Sequence, residues 1–125
     1  MACAATLASI EVCQEENLLE AATELGDFIL GKLHEIQKRH KIIGEVRGKG
    51  CLLGLELVKD LETKEPFVEA GQLVYQKAFS KGLSWIPSGQ NLRMSPPLIM
   101  PKEVAAKALE IIEESITETE KHFGY

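Results

Sequence analysis

Apolar residues recur at three- and four-residue steps over two long stretches of the chain. The first begins at Leu18 and continues through Ala22, Leu25, Phe28, Ile29, Leu33 and Ile36, with Glu24, Asp27, Lys32, Glu35 and Lys38 on the opposite side. This spacing predicts an amphipathic helix from Leu18 to about Arg39. Asn17 stands where an N-cap belongs, and Lys38, Arg39, His40 and Lys41 complement the negative end of the helix dipole. Gly26 and Gly31 each cost about 1 kcal/mol of helix propensity relative to alanine; their missing side chains would let a neighbouring element come close. The second stretch runs from Pro101, which suits the first helical position, to about His122. Val104, Ala108, Leu109, Ile112 and Ile116 form its apolar stripe, and Glu110, Glu113, Glu114 and Glu118 read as a solvated far side.

Shorter patterns fill the interval. Cys51 to Val58 is interrupted only by Glu56 and predicts a strand with Leu53, Leu55 and Leu57 on one face and Leu52, Gly54, Glu56 and Val58 on the other. A strand this apolar is expected to be covered on both faces, with Glu56 near an edge or an interface. Lys59 to Glu65 reads as a charged loop. Pro66 then opens a helix to about Lys81, with Ala70, Leu73, Val74 and Ala78 on one face and Gly82 at C′. Leu83 to Ile86 and Leu92 to Ser95 read as short strands joined by a turn over Pro87 to Asn91, and Pro96-Pro97 ends the second. Ile42 to Gly50 holds three glycines and reads as a connector. Ahead of all this, Ala2 to Gln14 is an alanine-rich helix whose small side chains suggest close packing against this chain or another.

The order helix, helix, strand, helix, hairpin, helix predicts an α+β domain: a small antiparallel sheet of about three strands packed by helices on one face. A ferredoxin-like split βαβ is a related topology. The chain has 125 residues, which makes one domain of residues 1–125, and 45% of them are hydrophobic, too many for a disordered chain. The formal net charge of −5 argues against a nucleic-acid partner, which needs a clustered positive surface. No apolar run approaches the roughly 20 residues that span a bilayer, so no membrane partner is expected. Cys3, Cys13 and Cys51 form neither a CxxC nor a metal-ligand spacing, and they read as small buried hydrophobes in a reducing, cytoplasmic setting. His34, His40 and His122 read as surface residues.

No self-sufficient catalytic set is present: there is no GxSxG, HExxH or P-loop, and no metal-ligand set. Gly44, Gly48, Gly50 and Gly54 precede a strand rather than open a helix, so they read as structural rather than as a phosphate cradle. The most informative residue is Arg93. If Leu92 and Met94 face the helices, Arg93 points from the other face of the sheet. There it could take a carboxylate in a bidentate pair, or it could be a surface arginine paired with a local glutamate.

Several motifs in order add to this reading: Ala2-Cys3-Ala4-Ala5, Glu16-Asn17-Leu18-Leu19, Ile43-Gly44-Glu45-Val46-Arg47-Gly48-Lys49-Gly50, Gly54-Leu55-Glu56-Leu57-Val58-Lys59-Asp60 and Leu92-Arg93-Met94-Ser95-Pro96-Pro97-Leu98. Together they resemble the C-terminal part of class-III aminotransferases, pyridoxal-phosphate (PLP) enzymes of fold type I. Within that class the chain looks most like 4-aminobutyrate aminotransferases, with acetylornithine and ornithine aminotransferases sharing the same pieces. The resemblance implies a small C-terminal domain, residues 1–16 being a helix that joins it to the large domain. It implies that Arg93, of the LRxxPPL motif, binds the substrate carboxylate, and that Arg47 and its glycines shape the loop before the strand. It also implies that the PLP-binding lysine, the aspartate partnering the pyridinium nitrogen and the phosphate loops belong to a large domain outside this segment. The expected parent reaction is amino transfer from 4-aminobutyrate or a similar ω-amino acid to 2-oxoglutarate. The chain itself is expected to be a fragment that is inactive and binds no cofactor alone, with that large domain as its partner. The alternative is a stand-alone, non-catalytic module of the same fold that self-associates through exposed apolar surface or binds a small ligand.

Overall fold

The computed structural model describes every residue from Met1 to Tyr125. Helix α1 (Ala2–Glu15) and helix α2 (Leu18–Gln37) meet at a sharp break. Asn17 occupies the N-cap position of α2 with a left-handed φ of 50°, and its side chain makes no capping bond. Asparagine tolerates this region, so it ends α1 through its backbone rather than by the side-chain cap expected of it. Helix α1 buries none of its residues, whereas α2 buries Leu25, Gly26, Ile29, Leu33 and Ile36.

Strands β1 (Ile43–Lys49) and β2 (Leu52–Leu57) form a hairpin about Gly50-Cys51. β1 is thus a strand where a connector was expected. Its glycines are there for space: a Cβ on Gly44 would press on Val58, and one on Gly48 on Leu53. Gly50, with φ 54°, makes the two-residue turn. Helix α3 (Val68–Ser80) follows. It ends in a Schellman arrangement, with Gly82 donating to Phe79 O and Leu83 to Ala78 O, both at 3.0 Å.

The second hairpin pairs β3 (Pro87–Ser88) with β4 (Asn91–Met94). Its turn is only Gly89-Gln90, with Gly89 at φ 58°, so the expected five-residue turn is too long and Leu83 to Ile86 is not a strand. Pro87 is tolerated because β3 is an edge, where a missing donor costs no ladder bond. Helix α4 (Lys102–Phe123) closes the chain.

The sheet runs β1-β2-β4-β3, antiparallel throughout. The fold class is α+β, with one strand more than the expected three. Two hairpins joined through β2 and β4 replace the split βαβ pattern. Helices α2 and α3 lie on one face of the sheet, and α4 packs across both helices. Leu53, Leu55 and Leu57 point into this core with Val46 and Leu92, while Leu52 on the opposite face is 64% exposed. β2 is therefore covered on one face only, and Glu56 lies on a central strand rather than at an edge.

α4 is rotated from the expected stripe. Ala105, Leu109, Ile112, Ser115, Ile116 and Thr119 are buried, Val104 is exposed and Ala108 is half-buried. The Ser115 and Thr119 hydroxyls donate to the carbonyls of Ile111 and Ser115 at 2.7 Å, which lets polar residues occupy this interface. The acidic side of α4 is a clasp rather than a bare solvated face: Glu113 takes Arg39 at 2.7 Å, and Glu114 and Glu118 take Lys81.

Lys77 and Lys81 together hold the Glu118 carboxyl down to about 2 from an ordinary value of 4.5. Because the folded value lies below the unfolded one, this pairing contributes above about 4.5 and is lost as the pH falls toward about 2. Lys81→Met should move the Glu118 titration midpoint, followed by side-chain NMR, back toward 4.5. A midpoint that stays put would contradict the assignment.

Two further expectations are corrected. His40 is not an ordinary surface residue: its side chain is 7% exposed and its Nδ1 lies 2.7 Å from Glu120. The other Glu120 oxygen accepts the backbone N–H groups of Lys41, at 2.7 Å, and Ile42. His40 and Glu120 stand 80 residues apart in the sequence, and their link joins the α2–β1 corner to the end of α4. The cysteines are not buried hydrophobes either, since Cys3 is exposed and Cys13 and Cys51 are half-buried. Cys51 points its thiol at the Ala22 carbonyl, 3.7 Å away, and burial pushes that thiol's pKa up. No helix is long and apolar enough to cross a membrane.

Candidate carboxylate-binding site

β4 places Arg93 between Leu92, which is buried, and Met94, which packs partly against the core. Side-chain alternation puts Arg93 on the uncovered outer face, where it is exposed. The chain has three arginines. Arg39 is paired with Glu113, and Arg47 with Glu45 and Glu56; Arg93 has no ion-pair partner. The reading of Arg93 as a surface arginine held by a local glutamate therefore does not describe this structure.

The pairing register sets the surroundings. Arg47 on β1 and Arg93 on β4 are both Cα partners of Gly54 on β2. At the usual strand spacing this puts the two arginine Cα atoms about 10 Å apart, on either side of a residue with no side chain. A Cβ built on Gly54 meets nothing within 4 Å, so an open notch lies beside Arg93. The next row across the same face is Glu45, Glu56, Asn91 and Ser88. Arg47 draws this row together: Nη1 donates to Glu45 at 2.9 Å and Glu56 at 3.3 Å, and Nη2 to Asn91 at 3.5 Å. Arg47 was expected to shape a loop; it is a strand residue at the centre of a polar network. The strand alternation Val46, Arg47, Gly48 carried that signal, and the flanking glycines obscured it.

A cavity of about 310 Å³ opens where β4 leaves the sheet, walled by Ile29, Trp85, Met94, Met100, Leu109 and Ile112 among others. Arg93 is the one charged residue of its lining. An apolar recess with one guanidinium suits an amphiphilic acid. None of the eleven lysines is buried or lines the cavity, and no aspartate does.

The family model for aminotransferase class-III matches residues 1–116. The alanine/serine racemase of Pyrococcus horikoshii is 48% identical over 93% of this chain and 25% of its own length. The isoleucine 2-epimerase of Lentilactobacillus buchneri is 39% identical over 94% of this chain and 26% of its own. The chain thus spans about a quarter of the length of these relatives. Among solved structures, an amine transaminase from an uncultivated Pseudomonas species, in its PLP-bound form, superposes with a TM-score of 0.88 at 30% identity, over 94% of this chain and 27% of that one. With the family pattern running through nearly the whole chain and the same α+β arrangement found in solved transaminases, the chain belongs to the class-III aminotransferase family.

Proposed function

We propose that this chain forms the C-terminal, substrate-side domain of a PLP-dependent enzyme acting on amino acids, and that Arg93 binds the substrate carboxylate. The observation that carries this is Arg93 itself, the one arginine without a partner, beside an open notch. Anchoring a carboxylate there fixes the position of the remaining substrate atoms before reaction. PLP, held by residues outside this chain, supplies the carbanion chemistry. The large domain covers the outer sheet face and α1, whose Leu7 and Ile10 are 61% and 50% exposed. Self-association through the same surface is the rival use of it, and a strict monomer in light scattering would contradict that rival.

The motifs favour amino transfer from 4-aminobutyrate or a similar ω-amino acid to 2-oxoglutarate. A second reading, inversion at the α-carbon of an amino acid, is favoured by the 48% identity to an alanine/serine racemase. A chimera, in which residues 2–125 replace the matching C-terminal quarter of the Pyrococcus horikoshii enzyme, is read against that unaltered enzyme, because the large domain supplies the reacting groups and only a change of product reports on this domain. Incubated with L-alanine and no oxo acid, a racemising enzyme forms D-alanine. A transaminating enzyme forms oxo acid beyond one equivalent only when 2-oxoglutarate or pyruvate is supplied to accept the amino group. A folded, PLP-loaded chimera that does neither would contradict the proposal. The 125-residue chain alone should retain no stoichiometric PLP after dialysis; retention would also contradict it.

A further inference from the structure

We propose that Arg47 is a positioning residue that keeps Arg93 free by holding Glu56 away from it. The inference rests on the carboxylate reading of Arg93 and explains how that guanidinium stays available on a face that also carries acid groups. β2 and β4 present Leu52, Gly54, Glu56, Asn91 and Arg93 on the outer face, so Glu56 is the one acidic residue of these two strands there. Glu56 pairs across the strands with Asn91, two residues from Arg93. Such diagonal neighbours lie about 7–8 Å apart at Cα, within reach of two long side chains, and the notch at Gly54 puts nothing between them.

Left alone, Glu56 would therefore meet Arg93 and occupy the group meant for the substrate. Arg47 prevents this from the other side of β2. Its Nη1 takes Glu56 at 3.3 Å and Glu45 at 2.9 Å, and its Nη2 reaches the Asn91 amide oxygen at 3.5 Å, which draws Glu56 toward β1. Lys59, the cation nearest to Glu56 in sequence, is paired with Glu65 at 2.6 Å, and Lys49, on the same face of β1, stands opposite Leu52, two rows away from Glu56. Arg47 thus acts through Glu56 and does not touch the substrate.

Phenylglyoxal, which modifies free guanidinium groups, tests this on the 125-residue chain, with each arginine followed in peptides by mass spectrometry. Arg93 should react fastest of the three, and glutarate should slow it. In Arg47→Met, Arg93 should react roughly two- to fivefold more slowly, the occupancy that an exposed ion pair commands. Adding Glu56→Gln to that variant should restore the original rate, and Arg47→Lys, which keeps the charge, should leave it near the original. If Arg47→Met unfolds, seen as faster modification of Arg39, then Arg47→Gln carries the same expectation. An unchanged Arg93 rate on loss of Arg47, or no rescue by Glu56→Gln, overturns the role of Arg47. Failure of glutarate to slow Arg93 in the unmodified chain overturns the carboxylate reading instead.

Discussion

Replacing Gly26 with alanine should destabilise the fold by about 2–3 kcal/mol or prevent folding altogether. A Cβ at this position would overlap the Gly50 carbonyl oxygen and press on the Gly50 carbonyl carbon and Cα. Those are backbone atoms of a tight turn held by the Lys49–Leu52 pair, so they cannot swing aside as a side chain would. α2 would have to lift from the β1–β2 hairpin, opening the core around Leu25 and Ile29. Gly31, five residues on in the same helix, is the contrast. A Cβ there meets nothing within 4 Å, so Gly31→Ala should stabilise the fold by about 0.5–1 kcal/mol through helix propensity alone. Denaturant melts of the two variants should move in opposite directions. A Gly26→Ala protein as stable as the original would contradict the close packing of α2 on the turn.

The second large effect concerns recognition. In a chimeric enzyme carrying this domain, Arg93→Gln should lower kcat/KM for carboxylate substrates by about 10–100-fold, the range for a hydrogen bond between charged groups. Amines that lack a carboxylate should be unaffected. Arg93→Lys should recover only part of the loss, because an ammonium cannot make two parallel N–H···O bonds to one carboxylate. Gly54→Leu separates site from scaffold. Its Cβ has open space and a strand accepts the larger residue, so the fold should survive, while the side chain fills the notch beside Arg93. Carboxylate binding should fall without loss of stability. A fall in both would place Gly54 in the scaffold.

Helices α2, α3 and α4 were legible because each buries one stripe in an 18-residue core cluster, and a 3.6-residue period survives in the sequence wherever burial is one-sided. Their rotation was less so: on α4, Val104 and Ala105 are both apolar and small enough for either face, and only packing against α2 and α3 chooses Ala105. β1 was hidden because glycine signals turns, while Gly44 is there for lack of room against Val58, a contact made only in the fold. The second hairpin slipped in register because Pro87 reads as a turn residue yet can sit at an edge. The outward placement of Arg93 was legible because alternation with Leu92 and Met94 is local. The links from Arg47 to Glu56 and from His40 to Glu120 were missed because each joins residues that only the folded chain brings together.

The account depends most on a free guanidinium at Arg93 that takes a carboxylate. The most direct measurement is a titration of the chain with glutarate, reading the Nε–H resonances of its three arginines by NMR. The account predicts that Arg93 shifts with saturable dependence while Arg39 and Arg47, already engaged with glutamates, stay in place. An Arg93 resonance that does not move, or that moves no more than the other two, would contradict it.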